Sequence, residues 1–333
     1  MRRMLFAFAA ALGLALTGPA AAADWKPTKP IRIIVPWSAG GSTDQLIRTL
    51  AADLEDALGQ KVVVVNQPGG GGAVGTKAAL DAPKDGYTWT SGAAKDLGTY
   101  VITGAIDTQL KDWNLYLATV NYTILSVNPD SKFKSMEDVI KAMKSDPNSV
   151  TIATGGINSA GGAASEALKL ATGGNYKMVT YDGGNPAVQS TVAHETEITT
   201  QLVSEQYDML RAKRLKPLAA YTPNAVTLPG VGEIPSITKS VPNTKVGPVH
   251  FGIWAPKGVP ADVVATMGKI WDSKIKNSER LKKYAESKGL GVDVAWGQAA
   301  YKQAYQTTAI NAWQIFDGGK GKVSPDKVGF KRP

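Results

Sequence analysis

Apolar residues along the chain follow two alternating rhythms. IRIIVPW, residues 31–37, is a nearly continuous apolar run behind a Pro-rich lead-in at 26–30. That is the pattern of a parallel strand covered on both faces. Leu46, Ile47, Leu50, Leu54, Ala57 and Leu58 then recur at helical spacing, and Gly59 suits the residue just past a helix end. KVVVVN (61–66) predicts a second buried strand, QPGGGGAVG a loop, Thr76–Leu80 the start of a further helix, and DGYTWTSG (85–92) a third strand. This alternation is that of a doubly wound α/β sheet.

The rhythm restarts after NYTILSVNPD. Ser135 predicts an N-cap for a helix running through Lys144, and VTIATGG (150–156) a strand. A helix over Ala163–Leu170, a strand over YKMVTYDGG (176–184) and a helix over Pro186–Ala193 follow. EITTQLV and LKPLAAYTP read as two more strands, and HFGIWAPKGVP as a strand and turn. Amphipathic helices are expected over Ala261–Trp271, Ser278–Lys288 and Ala299–Ile315, and a polar, loosely packed tail over Asp317–Pro333. Two α/β units result, so the chain must cross between them near 120–125 and return near 220–224. The expected division is residues 24–122 plus 224–316 for one lobe, 123–223 for the other, and a tail at 317–333.

The first 23 residues read differently. Met1-Arg2-Arg3, the apolar run Leu5–Leu16, Pro19 and Ala21-Ala22-Ala23 before Asp24 match a cleavable secretory signal. As a membrane anchor the run is too short, since spanning takes about 20 apolar residues. Export makes nucleotide-driven chemistry a poor expectation. With no cysteine the chain has neither disulfides nor a lipid-modified N-terminal cysteine. The formal charge of +9, or +7 without Arg2 and Arg3, is scattered over solvated helix positions such as Lys132, Lys141 and Lys274–Lys283. No basic run is interleaved with aromatics, so nucleic acid is not an expected partner.

Candidate chemistry lies in the loops. In PWSAGGSTD, Gly40-Gly41 lets backbone approach a guest, and Ser42 or Thr43 can cap the helix that follows. The free N–H groups of that first turn favour an anion at the strand's carboxyl end. Any strand-to-helix turn needs a glycine and a cap, so one loop means little. Recurrence means more: PGGGGAVGT, TSGAAKD, ATGGINSAGGAAS and YDGGNPA also follow expected strands, in both halves of the chain. Trp37 reads as pocket wall or as core. Gly70-x-Gly72-x-x-Gly75 fits a dinucleotide fingerprint, but Pro68 interrupts it and no acidic residue closes the motif. His194 and His250 lack metal-ligand spacing, and no G-x-S-x-G elbow is present. No cofactor, metal or catalytic set is expected. A secreted α/β hydrolase is the alternative of another class, and it lacks a visible nucleophile–base pair.

KPIRIIVPWSAGGSTDQLIRTLA, LGQKVVVVNQPGGGGAVGTKA, KDGYTW, TIATGG, YDGGNPAV, LKPLAAYT, LPGVGEIPSI and FGIWAPKGVPADVV together resemble the solute-binding receptors of tripartite tricarboxylate transporters, the Bug or TctC-like family. The resemblance covers about 28–315. It implies a periplasmic, type II binding-protein fold: two doubly wound lobes joined by two crossover strands, closing like a pincer on a carboxylate. It also implies a monomer without catalysis that delivers ligand to the membrane components of a transporter; a sensory receptor would use the same surface. Carried over by position, first-lobe contacts fall on Trp37, Ser38, Ala39, Gly40, Ser42, Thr43 and Asp44, with Gly70, Gly71, Gly72, Ser91 and Gly92. Second-lobe contacts fall on Thr154, Gly155, Asn158, Ser159, Tyr181, Asp182, Gly183 and Gly184, with Ser204. The chain departs from the family pattern at Trp37 (commonly Phe), Ser38-Ala39 (a proline pair), Gln67 (Arg), Ala193-His194-Glu195, and QLVSEQ, where Phe-Asp-Ser is more typical. Trp37 offers a larger face for a flat or aromatic carboxylate, and Ser38 adds a hydroxyl.

Overall fold

Ile31–Val35 (β1) buries four of its five side chains and pairs in parallel on both sides. Its neighbours are Val62–Asn66 (β2) and Thr88–Ala93 (β3). The computed structural model describes residues 24–333; the signal segment expected at 1–23 lies outside the described residues. The helices Ser42–Leu58 (α1) and Ala73–Asp81 (α2) connect these strands, and Gly59 ends α1 in the left-handed conformation at φ 65°. The strand β2 is not buried on both faces, as its composition led us to expect. It is the outermost strand, and Val63 and Val65 are 47% and 36% exposed on its open face.

Ala94–Thr103 (α3) follows β3, and Trp113–Asn121 (β4) then runs almost without break into Thr123–Val127 (β5). At Tyr122 the chain leaves one sheet and enters the other. The second unit contains Met136–Ser145 (α4), Thr151–Thr154 (β6), Ala160–Thr172 (α5), Lys177–Thr180 (β7) and Gly184–Val192 (α6). It continues with Ile198–Leu202 (β8), Val203–Arg211 (α7) and Lys216–Ala220 (β9). As expected, Ser135 caps α4, in a reciprocal box with Asp138. A hairpin, Val226–Leu228 (β10) with Gly232–Ile234 (β11), and the short helix Ile237–Ser240 (α8) lie on the return path. Val249–Pro256 (β12), Ala261–Ile270 (α9), Glu279–Ser287 (α10), Gly291–Trp296 (β13) and Gly297–Asp317 (α11) complete the first unit.

The two sheets are built alike. The orders are β13-β4-β12-β3-β1-β2 and β7-β6-β8-β5-β9. In each, three parallel strands are followed by a strand inserted antiparallel: β12 beside β3, and β5 beside β8. Helices cover the central strands on both faces, and β1, β3 and β8 point their carboxyl ends at the other lobe.

The segment after α11 is not loosely packed. Phe330 is 3% exposed and packs with Ile102, Ala312 and Ile315, while the N–H groups of Lys322 and Val323 bond the Ile102 carbonyl. Arg332 lies over the Trp313 ring at 3.7 Å and pairs with Asp317. A polar composition concealed one buried aromatic anchor. Removing it with Phe330→Ala is expected to lower unfolding free energy by about 3–4 kcal/mol in urea titration, the usual cost of deleting a buried phenyl ring; a loss below about 1 kcal/mol would show a loose tail.

Candidate ligand-binding site

Five helices begin at one place between the lobes. First-turn or capping residues of α1 and α3 from one lobe, and of α5, α6 and α7 from the other, surround a cavity of about 30 Å³. Trp37, Ser42, Thr43, Ala93, Asp96 and Phe251 line it from the first lobe. Ser159, Ala160, Gly184, Gln201, Leu202 and Glu205 line it from the second. Each helix start carries unpaired N–H groups and the positive end of a dipole. As closed here, the space suits about two waters. A wider opening of about 650 Å³ lies against the neighbouring loops 70–71, 155–158 and 180–182. Another concavity, about 350 Å³, lies between the C-terminal halves of α5 and α11, where helix dipoles disfavour an anion.

The lobes touch directly. The Ser38 N–H donates to the Asp182 carbonyl at 3.0 Å, and Thr103 Oγ1 donates to Asn158 Oδ1 at 3.0 Å. The Lys95 ammonium donates to the Asn158 carbonyl, and Ser42 Oγ donates to Glu205 Oε1 at 3.0 Å. At the crossing, Asn121 Nδ2 donates to Ser204 Oγ at 2.8 Å. Gly184 is glycine because a Cβ there would collide with the Glu205 carboxylate. Gly72, at φ 91°, leaves room for Tyr100 and the Trp37 ring, both of which a Cβ there would strike.

The structure distributes the expected contacts over three settings. Trp37, Ser42, Thr43, Ser159 and Gly184 line the inner cavity. Gly70, Gly71, Gly155, Asn158, Tyr181 and Asp182 line the wider opening. Gly72 and Gly92 lie beside the Trp37 indole, Ser38 and Gly183 meet at the lobe contact, and Ala39 and Gly40 are exposed on the rim. Four further residues also line neither space, and their polar atoms are committed elsewhere. Ser91 Oγ donates to the Ile34 carbonyl, Thr154 Oγ1 accepts from the Gly156 N–H, and Ser204 belongs to the crossing. Asp44 closes its own loop by accepting from the Gly40 N–H at 2.9 Å, from Arg48 and from Asn66. Burial pushes its carboxyl up, but those bonds outweigh burial and hold it below the ordinary range.

Asp96, Gln201 and Glu205 were not expected in the cavity. Glu205 occupies the third position of α7 and Asp96 the third of α3, where a carboxylate reaches back to the capping residue's N–H. Such an acid three residues after a strand end is the signal that could have found them. Glu205 also reaches across the cleft. Its Oε1 accepts from Ser42 Oγ and, at 3.4 Å, from the Ser42 N–H. With its amide oriented to suit both neighbours, Gln201 donates to Glu205 Oε2 at 3.1 Å and accepts from the Gly155 N–H at 2.9 Å. Burial raises the Glu205 carboxyl to about 7 despite these donors. Asp96 is also pushed up by burial, against the pull of Lys95, whose ammonium lies 2.8 Å from Oδ1. Among the described residues, no cluster of three His, Asp or Glu side chains could hold a metal ion, and no helix is long and apolar enough to cross a membrane.

Two doubly wound lobes, a chain that crosses between them, and a cavity walled by helix N-termini define a solute-binding protein of the type II periplasmic-binding-protein class. Its family follows from the sequence. Residues 46–312 match the model of the tripartite tricarboxylate transporter family receptor, TctC, and the chain belongs to that family. Protein BugT of Bordetella pertussis is 29% identical over 278 residues, covering 81% of this chain and 83% of BugT. The structure of the periplasmic binding protein BugD superposes with a TM-score of 0.80 at 22% identity, over 89% of this chain and 99% of BugD. An R. palustris protein with adipate gives 0.77 at 24% identity, over 89% and 99%.

Glu205 makes stability depend on pH. Its folded value of about 7 lies above the ordinary 4.5, so the fold binds this proton more tightly than the unfolded chain. That contribution is complete below pH 4.5 and is lost as pH rises through about 7; by pH 8 the loss is on the order of 3 kcal/mol. Unfolding free energies measured between pH 5 and 8 should therefore fall for the wild type and flatten for Glu205→Gln. Equal slopes in both proteins would show that Glu205 keeps an ordinary value.

Proposed function

We propose that this protein is a periplasmic receptor that captures a small organic carboxylate between its lobes. It presents the closed form, as a monomer and without catalysis, to the membrane components of a tripartite tricarboxylate transporter. The observation that carries this reading is the convergence of helix starts from both lobes on one interlobe cavity. The first lobe supplies two of the five helix starts and the second three, so only the closed state offers a bound anion the full set. A ligand then stabilises closure through contacts absent in the open state. The lobes divide at the crossing near residue 122 and on the return path after β9. Family membership and the adipate held by a structural neighbour support a carboxylate as ligand. The cavity lining supplies hydroxyls, an amide and carboxyl groups, the hydrogen-bonding set of a binding site.

Mass spectrometry of ligand co-purified with the native protein, followed by a thermal-shift panel of aliphatic and aromatic carboxylates, tests the reading. At least one carboxylate should raise the melting temperature; none doing so would end it. Thr43→Ala and Ser159→Ala should each weaken binding roughly tenfold, the worth of one buried hydrogen bond. Ser159 also caps α5 by accepting from the Gly162 N–H, so its variant should lose about 1 kcal/mol of stability as well. Unchanged affinity in both variants would place the pocket elsewhere.

A further inference from the structure

The ionisable groups lining the inner cavity are both acids. Asp96 comes from α3 and Glu205 from α7, and no lysine, arginine or histidine lines the space. Glu205 already takes the Ser42 N–H and hydroxyl, the donors through which α1 would receive an incoming carboxylate. Asp96 is 4% exposed, and its Oδ1 has the Lys95 ammonium as ion-pair partner but no directed hydrogen bond. The cavity is therefore polarised. One side, at Ser159 and Ala160, offers the start of α5 to an anion, and the other presents two acceptors. A dianion bridging this space would set its second carboxylate against Glu205 and Asp96, where low dielectric strengthens repulsion.

Resting on the carboxylate-receptor reading, we infer that Glu205 selects the ligand's second group. The receptor takes a carboxylate that also bears an ammonium or another strong hydrogen-bond donor, and it discriminates against plain di- and tricarboxylates. Asp96 is the second acceptor for that donor. Gln201 and Ser42 position the Glu205 carboxylate, and Gly184 makes the space for it.

The proton balance gives this choice a signature. Near pH 7 Glu205 is partly protonated. An ammonium beside it favours the ionised form and releases a proton, whereas a second carboxylate favours the neutral form and takes one up. The other titratable groups nearby are Asp96 with Lys95 on α3, Asp44 with Arg48 on α1, and Tyr284 on α10. Tyr284 donates to the Ser42 carbonyl at 3.2 Å, and burial raises its phenol far above this range.

Isothermal titration at pH 7, in two buffers of different ionisation enthalpy, tests the inference with matched amino and desamino carboxylates. Suitable pairs are L-aspartate and succinate, L-glutamate and glutarate, and L-phenylalanine and 3-phenylpropanoate. In at least one pair the amino member should bind tenfold or more tightly and release a proton. Glu205→Gln should reduce that preference at least tenfold and abolish the release, while Glu205→Asp, with the charge kept, should retain its direction. Circular dichroism verifies that both variants fold. If the desamino members bind as tightly with proton uptake, or if the preference survives Glu205→Gln, the inference falls while the carboxylate reading stands. Binding of neither member of any pair would count against both.

Discussion

Unpaired backbone N–H groups at helix starts are the constraint around which this molecule is organised. Right-handed strand–helix crossovers place the start of each connecting helix at the carboxyl end of the strand before it. Two lobes built on that plan and faced together bring their unsatisfied donors to a single space. Buried donors left without partners are costly, so closure is favourable only when something supplies acceptors. In this structure part of the supply is internal: Glu205 on α7 accepts from the first turn of α1 across the cleft. The protein places its own carboxylate where the fold calls for an anion.

That substitution sets the energetic scale of closure. The lobe contacts near the site are few: Ser38 to Asp182, Thr103 to Asn158, Lys95 to Asn158, and Ser42 to Glu205. Neutral hydrogen bonds contribute about 0.5–1.5 kcal/mol each and those to charged groups about 1.5–3. Against them stand the desolvation of Glu205 and Asp96 and the ordering of the loops. Open and closed forms of such a molecule differ by a few kcal/mol, a gap that ligand contacts made only in the closed form can cover. Ligand contacts can therefore decide the state.

Rigidity around the cleft comes from packing that has no role in binding. Tyr116, Trp89 and Trp271 pack in the core of the first lobe, with the Trp271 indole N–H bonded to the Leu117 carbonyl. The docked segment around Phe330 braces α3 and α11, and α3 carries Lys95 and Asp96 to the cavity. The crossing at Asn121–Thr123 is short: Tyr122 alone separates β4 of one sheet from β5 of the other.

Local sequence by itself determined the alternation of strands and helices, the glycine loops after the strands, the cap at Ser135, and membership in a receptor family. Each depends on residues within a few positions of one another: apolar period, left-handed glycine, a hydroxyl before a helix. It misled where neighbours decide. The valine-rich β2 reads as buried but is an edge strand, and a polar tail conceals Phe330. Only tertiary structure decided which loop residues face the cavity. Asp44, Ser91, Thr154 and Ser204 follow the motif yet spend their polar atoms on nearby backbone or side chains. Asp96 and Glu205 became cavity walls because separate helix starts, 109 residues apart in sequence, were brought to the same point. Whether a carboxylate caps its own helix or also meets a ligand depends on what the opposite lobe places beside it, and no local pattern records that.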